Sequence, residues 1–270
     1  MVQEIKFLSG FPRAGNTLLS SILSQNKDIT ATPNSILPDI YYQLSRCKNF
    51  PIYQNFKDEN SLNNVLKNIH TNYYKDIKTK YIIERASWIT PCNYNFLTSY
   101  FDQPIKIVIL VRDVLEIIKS YINICQNNPE FYINTMYNNL DKTTLYKTEI
   151  EEKCDIIMSK GEYVDTVLFS IKWLLNNVST SNYIFIEYED LIKDTEKTIK
   201  EIYDFYEMPH FKHSFKKLKQ FSMNKINYDD DYLKAPIHTI RTKEIKKNNI
   251  KIELPKSVIN KYSNIEFWRK

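Results

Sequence analysis

The chain has 270 residues, 43% of them hydrophobic and 26% charged, a globular balance that excludes disordered and fibrous classes. Its formal charge of +5 suits an anionic ligand without requiring nucleic acid, and no run approaches the roughly 18–20 apolar residues of a membrane span. Only three glycines occur where about 19 would be ordinary, and 6 of the 37 basic residues are arginine, so each Gly or Arg carries unusual information.

The opening residues, Met1 to Leu8, lack a basic segment followed by an apolar one, which predicts no signal peptide. A short apolar run, Ile5–Ser9, reads as a buried strand. It enters a loop bounded by Gly10 and Gly15, and an amphipathic helix follows with Leu18, Leu19, Ile22 and Leu23 on one side. Residues 33–75 read as a polar and aromatic insertion. Further strands are expected at Tyr81–Glu84, Ile105–Val111 and Tyr183–Glu187. Helical stripes run through Val114, Ile117, Ile118, Tyr121, Ile122 and Cys125, then through Val164, Val167, Leu168, Ile171, Leu174, Leu175 and Val178. A third, through Ile199, Ile202, Tyr203 and Tyr206, is expected to end at Pro209. Between the first two stripes lies a polar, charged insertion, 127–162. Strands alternating with such helices predict an α/β three-layer sandwich with a central, mostly parallel sheet, forming one domain over 1–270. Cys47, Cys92, Cys125 and Cys154 are scattered with no CxxC pair, which predicts neither a zinc site nor a disulfide framework and fits a reducing cytoplasm.

The segment Phe7-Leu-Ser-Gly-Phe-Pro-Arg-Ala-Gly-Asn-Thr-Leu-Leu carries the strongest local signal. Backbone N–H groups of Ala14, Gly15 and Asn16, with a helix N-terminus behind them, make an anion site; Gly15 permits close approach and Thr17 adds a hydroxyl. The spacing is that of the P-loop GxxxxGK[ST], but Asn16 stands where the lysine that reaches the β/γ-phosphates belongs. Ordinary ATP or GTP hydrolysis is thereby disfavoured, and Arg13 brings a cation to a different place. A tight Gly-Pro turn between strand and helix is the bland alternative.

Pro12-Arg-Ala-Gly-Asn-Thr-Leu-Leu19 resembles the 5′-phosphosulfate loop of the PAPS-dependent sulfotransferase family, which transfers a sulfuryl group from 3′-phosphoadenosine-5′-phosphosulfate (PAPS) to an acceptor and releases PAP. In that family a strand ends in an arginine and a serine follows eight residues later, together holding the 3′-phosphate. Ile107-Val-Ile-Leu-Val-Arg112 and Ser120 match this pattern. A local Arg112–Asp113 ion pair and a solvated Ser120 are the alternatives for each residue alone. Ile184-Phe-Ile-Glu-Tyr188-Glu-Asp-Leu resembles a late family strand whose tyrosine lies near the nucleotide. Glu84-Arg85 resembles the strand end that supplies a second active-site cation, unless Arg85 merely pairs with Glu84 on the surface. Arg241 and Lys243 resemble the basic segment closing over the 3′-phosphate, although a solvated basic stretch serves as well. Leu18 replaces the tryptophan that many cytosolic members stack on adenine, Ala14 removes a loop hydroxyl, and no Lys-x-His follows Tyr81–Glu84. The pattern is closer to carbohydrate- or protein-directed and bacterial or phage branches.

The resemblance implies that Arg13, the loop amides and Thr17 stabilise the bridging and 5′-phosphate oxygens, while Arg85 faces the sulfuryl oxygens. Arg112, Ser120 and Arg241 would hold the 3′-phosphate, with no metal required. A carboxylate beside the acceptor could take its proton, and Glu84 is the first candidate for general base, followed by Asp39, His70 and His238. The expected acceptor is a hydroxyl or amine on a small molecule, carbohydrate or peptide. Two other functions stay open: a P-loop kinase or NTPase with Asp113 as a Walker B aspartate, and a non-catalytic nucleotide- or glycan-binding module of the same fold.

Overall fold

The computed structural model describes residues 3–141, 147–240, 244–246 and 250–269. Strand β1 (Glu4–Gly10) leads to helix α1 (Asn16–Leu23) and strand β2 (Ile29–Asn34). Helices α2 (Leu37–Arg46), α3 (Pro51–Asn55), α4 (Glu59–Lys67) and α5 (Ile69–Tyr73) precede β3 (Tyr81–Arg85) and α6 (Pro91–Tyr100). Strand β4 (Ile107–Val111) feeds α7 (Val114–Asn127), α8 (Tyr132–Asn138), α9 (Glu149–Ile157) and α10 (Tyr163–Asn177). Strand β5 (Tyr183–Glu187) runs into α11 (Tyr188–Lys193) and α12 (Thr195–Tyr206), and α13 (Lys256–Tyr262) lies near the C-terminus.

The five strands form one parallel sheet in the order β2-β3-β1-β4-β5, flanked by helices in an α/β arrangement. All five residues of β4 are buried, as are Ile5 to Leu8 of β1, so the middle of the sheet is covered on both faces. That double burial is why these strands read in the sequence as unbroken β-branched runs rather than as alternating ones. Strand β2 escaped the sequence reading because Ile29–Asn34 is half polar and contains Pro33. It occupies the edge and pairs only with β3, where a missing N–H is tolerated. Strand β4 starts at Ile107 rather than Ile105, and α12 stops at Tyr206, where Glu207 adopts a left-handed φ of 58° before Pro209 is reached.

The order of the strands positions the site. β1 is central, between β3 and β4; the connection after β1 runs to β2 at one edge, and that after β4 runs to β5 at the other, so the connections diverge between β1 and β4. A crevice opens at such a switch point, and the ends of β1, β3, β4 and β5 all face it. The two inner strands also approach very closely there. A Cβ on Gly10, whose φ is +129°, would lie 2.1 Å from the carbonyl oxygen of Leu110 in β4. Gly10→Ala is therefore expected to cost about 3 kcal/mol or more, read as a lower urea midpoint at unchanged slope.

Candidate active site at the carboxyl ends of the strands

The loop between β1 and α1 is held from several sides. The Asn16 side chain is buried and its amide donates to the Phe11 carbonyl at 2.8 Å, closing the loop on itself. A lysine at that position would project a charge instead; Asn16 uses its side chain as a tie, so its contribution to a ligand is through its place at the helix N-terminus. Gly15, with φ +89°, caps α1 without a side-chain hydrogen bond. A Cβ there would come within 3.0 Å of the Tyr188 ring, so Tyr188 at the start of α11 packs directly on the loop backbone. Arg13 adopts a left-handed φ of 61°, a costly conformation for a long side chain. Its Nε donates to Ser120 Oγ at 3.1 Å and its Nη1 to the Ile237 carbonyl at 2.6 Å.

Arg112, one residue beyond β4, is 3% exposed. Its Nη1 donates to the Arg13 carbonyl at 2.7 Å, and the guanidinium lies 4.3 Å from the centre of the Tyr188 ring. Among the described residues its Nε and Nη2 have no hydrogen-bond partner; Nη2 makes an ion pair with Glu116 at 3.7 Å, beyond hydrogen-bond reach. Ser120 is buried one face over on α7. Spacing of eight residues from Arg112 thus does bring Ser120 to the loop, where it meets Arg13. The neighbouring Asp113 caps α7 by accepting from the Glu116 N–H at 2.9 Å, rather than pairing with Arg112.

Arg85 and Glu84 separate. Successive residues of a strand point to opposite faces, and at the end of β3 this sends Arg85 to the crevice and Glu84 into the core. Glu84 is fully buried, with its Oε2 3.0 Å from His70 Nε2, and Tyr41 Oη lies 2.9 Å from the other ring nitrogen. Phe7 and Trp88 pack around this His70 ring. Glu84 and His70 border neither cavity of the crevice, so neither is placed there to take an acceptor's proton. Arg85 Nη1 donates to Tyr228 Oη at 2.9 Å. Burial lowers the pKa of both Arg13 and Arg85 from the ordinary guanidinium value, and Arg112 adds to the effect on Arg13.

Two adjoining cavities fill the crevice. One, of about 200 Å³, is lined by Arg13, Gly15, Asn16, Thr17, Arg112, Ser120 and Tyr188 at its polar end, and by Leu18, Ile192, Ile245 and Ile250 elsewhere. The second, of about 370 Å³, is bounded by Tyr121, Phe131, Tyr132 and Tyr163, by the hydroxyls of Ser35, Ser87, Thr90, Thr166 and Ser170, and by Asp39. Pro12, Asn16, Arg85, Tyr121, Ile237 and His238 border both. Ala14 is buried behind the loop. Arg241 and Lys243 lie outside the described residues.

Tyr228 and Asp230 belong to a segment that carries no periodic pattern, and nothing in the sequence singled them out; Ile237 begins the stretch read as the basic segment with Arg241 and Lys243. His238 sits among them, with Nδ1 2.6 Å from Asp230 Oδ1. Among the described residues no group of three or more His, Cys, Asp or Glu side chains could hold a metal ion, and no helix is long and apolar enough to cross a membrane. Arg13, Arg85, Arg112, Ser120 and Thr17 line one cavity together with the loop, and Arg85 and His238 are shared with its neighbour.

Among curated proteins none matches this sequence. Solved structures do resemble the fold. The sulfotransferase domain from the curacin biosynthetic pathway has a TM-score of 0.51 at 14% identity, over 78% of this chain and 76% of that one. A sulfotransferase from Alicyclobacillus acidocaldarius gives 0.49 at 15% identity, over 77% of this chain and 82% of that one. Mouse sulfotransferase SULT7A1, in a complex with PAP, gives 0.45 at 16% identity, covering 78% and 62%. The sulfotransferase domain model matches residues 5–265, nearly the whole length, and the chain belongs to that family.

Proposed function

We propose that the chain transfers a sulfuryl group from PAPS to a hydroxyl or amine acceptor and releases PAP. The observation that carries this reading is Arg112: a buried guanidinium lining a cavity, whose Nε and Nη2 have no hydrogen-bond partner among the described residues and whose Nη2 has only a 3.7 Å ion-pair contact to Glu116, calls for an anion. A second anion subsite lies beside it, at the loop amides and Thr17. Two phosphate subsites a short distance apart match a nucleotide phosphorylated at both ends of its ribose. The aliphatic end of the cavity, between Leu18, Ile192, Ile245 and Ile250, offers the adenine two apolar faces in place of an aromatic ring.

In this arrangement Arg112 and Ser120 hold the 3′-phosphate, with Tyr188 packing the guanidinium in position. Arg13 and the loop N–H groups meet the 5′-phosphate and the bridging oxygen, where negative charge grows as PAP departs. Arg85, shared by both cavities, faces the sulfuryl oxygens as they pass between donor and acceptor. Its bond to Tyr228 and that of Arg13 to the Ile237 carbonyl keep both cations ordered before a ligand arrives. The aromatic cavity receives the acceptor. Nucleoside triphosphate hydrolysis fits less well: Asn16 ties the loop where a phosphate-binding lysine would stand, and Asp113 is occupied as a helix cap.

PAP at a hundred times its dissociation constant is expected to stabilise the chain by about 2.7 kcal/mol, undiminished by EDTA. Stabilisation by ATP with Mg²⁺ and none by PAP would overturn the sulfotransfer reading. Arg112→Gln should weaken PAP by ~30-fold or more in calorimetric titration, since it removes the buried partner of the 3′-phosphate. Glu84→Gln, by contrast, is expected to lower stability by roughly 1–3 kcal/mol through the His70 contact while leaving PAP affinity unchanged.

A further inference from the structure

Residues 220–240 run along the crevice, where Leu233, Ile237 and His238 line its cavities, and several of their contacts converge on one imidazole. The Asp230 carboxylate grips His238 twice: Oδ1 lies 2.6 Å from ring Nδ1, and Oδ2 accepts the His238 backbone N–H at 2.9 Å. The ring lies flat on Tyr228, centroids 3.9 Å apart and planes 3° from parallel. Tyr228 is in turn the acceptor for Arg85. Gln220 anchors the backbone on both sides of this point, donating to the His238 carbonyl at 2.9 Å and accepting the Ile240 N–H at 3.0 Å. Arg13 holds the preceding carbonyl, that of Ile237. The side chains of His238 and Asp230 are 14% and 17% exposed, so the pair is largely, but not wholly, withdrawn from solvent.

A carboxylate at Nδ1 requires the proton on that nitrogen, which leaves the lone pair of the neutral ring on Nε2. Nε2 has no partner among the described residues, and His238 borders both the polar donor cavity and the aromatic cavity. We infer that His238, positioned by Asp230 and Tyr228, is the general base that takes the acceptor's proton. The inference rests on the sulfotransfer reading above. In the step, the acceptor O–H proton moves to Nε2 as the acceptor oxygen forms a bond to sulfur. The bond from sulfur to the 5′-phosphate oxygen breaks, and its electron pair leaves with PAP. Neither Glu84, fully buried against His70, nor Asp39, which has no side-chain partner among the described residues, meets the same conditions.

The charged groups around the ring act in opposite senses. Burial pushes the His238 pKa below its ordinary 6.5, the adjacent Asp230 raises it, and Arg85 and Arg13 lower it, with a net lowering. The ring is therefore neutral, and competent as a base, at neutral pH. Activity that depends on it rises as pH climbs through that lowered value.

The test uses the full chain saturated with PAP and labelled with ¹⁵N-histidine, with long-range ¹H–¹⁵N correlation spectra recorded at neutral pH. His238→Gln identifies the signal. The expected result is a neutral ring in the Nδ1–H tautomer, with Asp230→Ala mixing the tautomers. An Nε2–H tautomer, or a charged ring, overturns the inference. Kinetics supply a second arm, with 2-phenylethanol and 4-nitrophenol as acceptor probes and PAP release from PAPS as the readout. His238→Gln is expected to slow transfer to the alcohol by ~100-fold or more and to abolish the acid limb of kcat/KM for the alcohol. Transfer to 4-nitrophenol, already ionised in mildly alkaline buffer, should fall far less. Equal losses with both acceptors overturn the role. A wild-type chain that binds no PAP defeats the sulfotransfer reading itself, whereas PAP binding with the wrong tautomer defeats only the base.

Discussion

The structure around the crevice depends on a single buried cation. Arg112 has almost no contact with solvent, and placing a guanidinium there costs several kcal/mol unless its donors are met. The protein meets part of that demand itself. One nitrogen bonds the Arg13 carbonyl and the π-face of Tyr188 covers the charge, while Glu116 sits at 3.7 Å. These contacts join the end of β4 to the anion loop, the start of α11 and the first turn of α7. Arg112 lines the cavity, and among the described residues its Nε and Nη2 make no hydrogen bond.

Close backbone approach makes this geometry attainable. Gly10 lets β1 lie against the Leu110 carbonyl, and Gly15 lets Tyr188 press on the loop. A side chain at either place would push the loop away from Arg112 and break the carbonyl contact that orients the guanidinium. The strained φ of Arg13 belongs to the same compact turn and aims its side chain across to Ser120 and Ile237. Loop, strand ends and the 220–240 segment are therefore mutually supporting. Each cation is held by a neutral acceptor, Ile237 carbonyl for Arg13 and Tyr228 hydroxyl for Arg85, which orders the charge without neutralising it.

Strand alternation decides which chemistry is available where. Glu84 and Arg85 are adjacent in sequence, yet one joins a buried cluster with His70 and Tyr41 while the other faces the ligand. The crevice consequently keeps its arginines free of a neighbouring carboxylate at the β3 end. Asp230, the carboxylate bonded to His238, is engaged with that histidine rather than with an arginine.

The sequence by itself determined the parallel sheet, because buried strands must be continuously apolar, and it located the anion loop, because a chain nearly devoid of glycine retains Gly10 and Gly15 at its ends. The family resemblance drew attention to Arg112 and Ser120 together; in the structure each meets Arg13, Arg112 at the Arg13 carbonyl and Ser120 at the Arg13 guanidinium. The edge strand β2 stayed hidden, because an edge need not be apolar and can hold Pro33. Only the tertiary structure decided the fate of Glu84, which local spacing had placed beside Arg85, because the face a strand residue takes depends on what packs against the sheet. The same holds for Tyr228, Asp230 and His238. They lie on an irregular segment whose value comes wholly from running along the crevice, more than a hundred residues along the chain from the arginines it orders. Local periodicity encodes strands and helices; it carries no record of which loop will line the crevice at their ends.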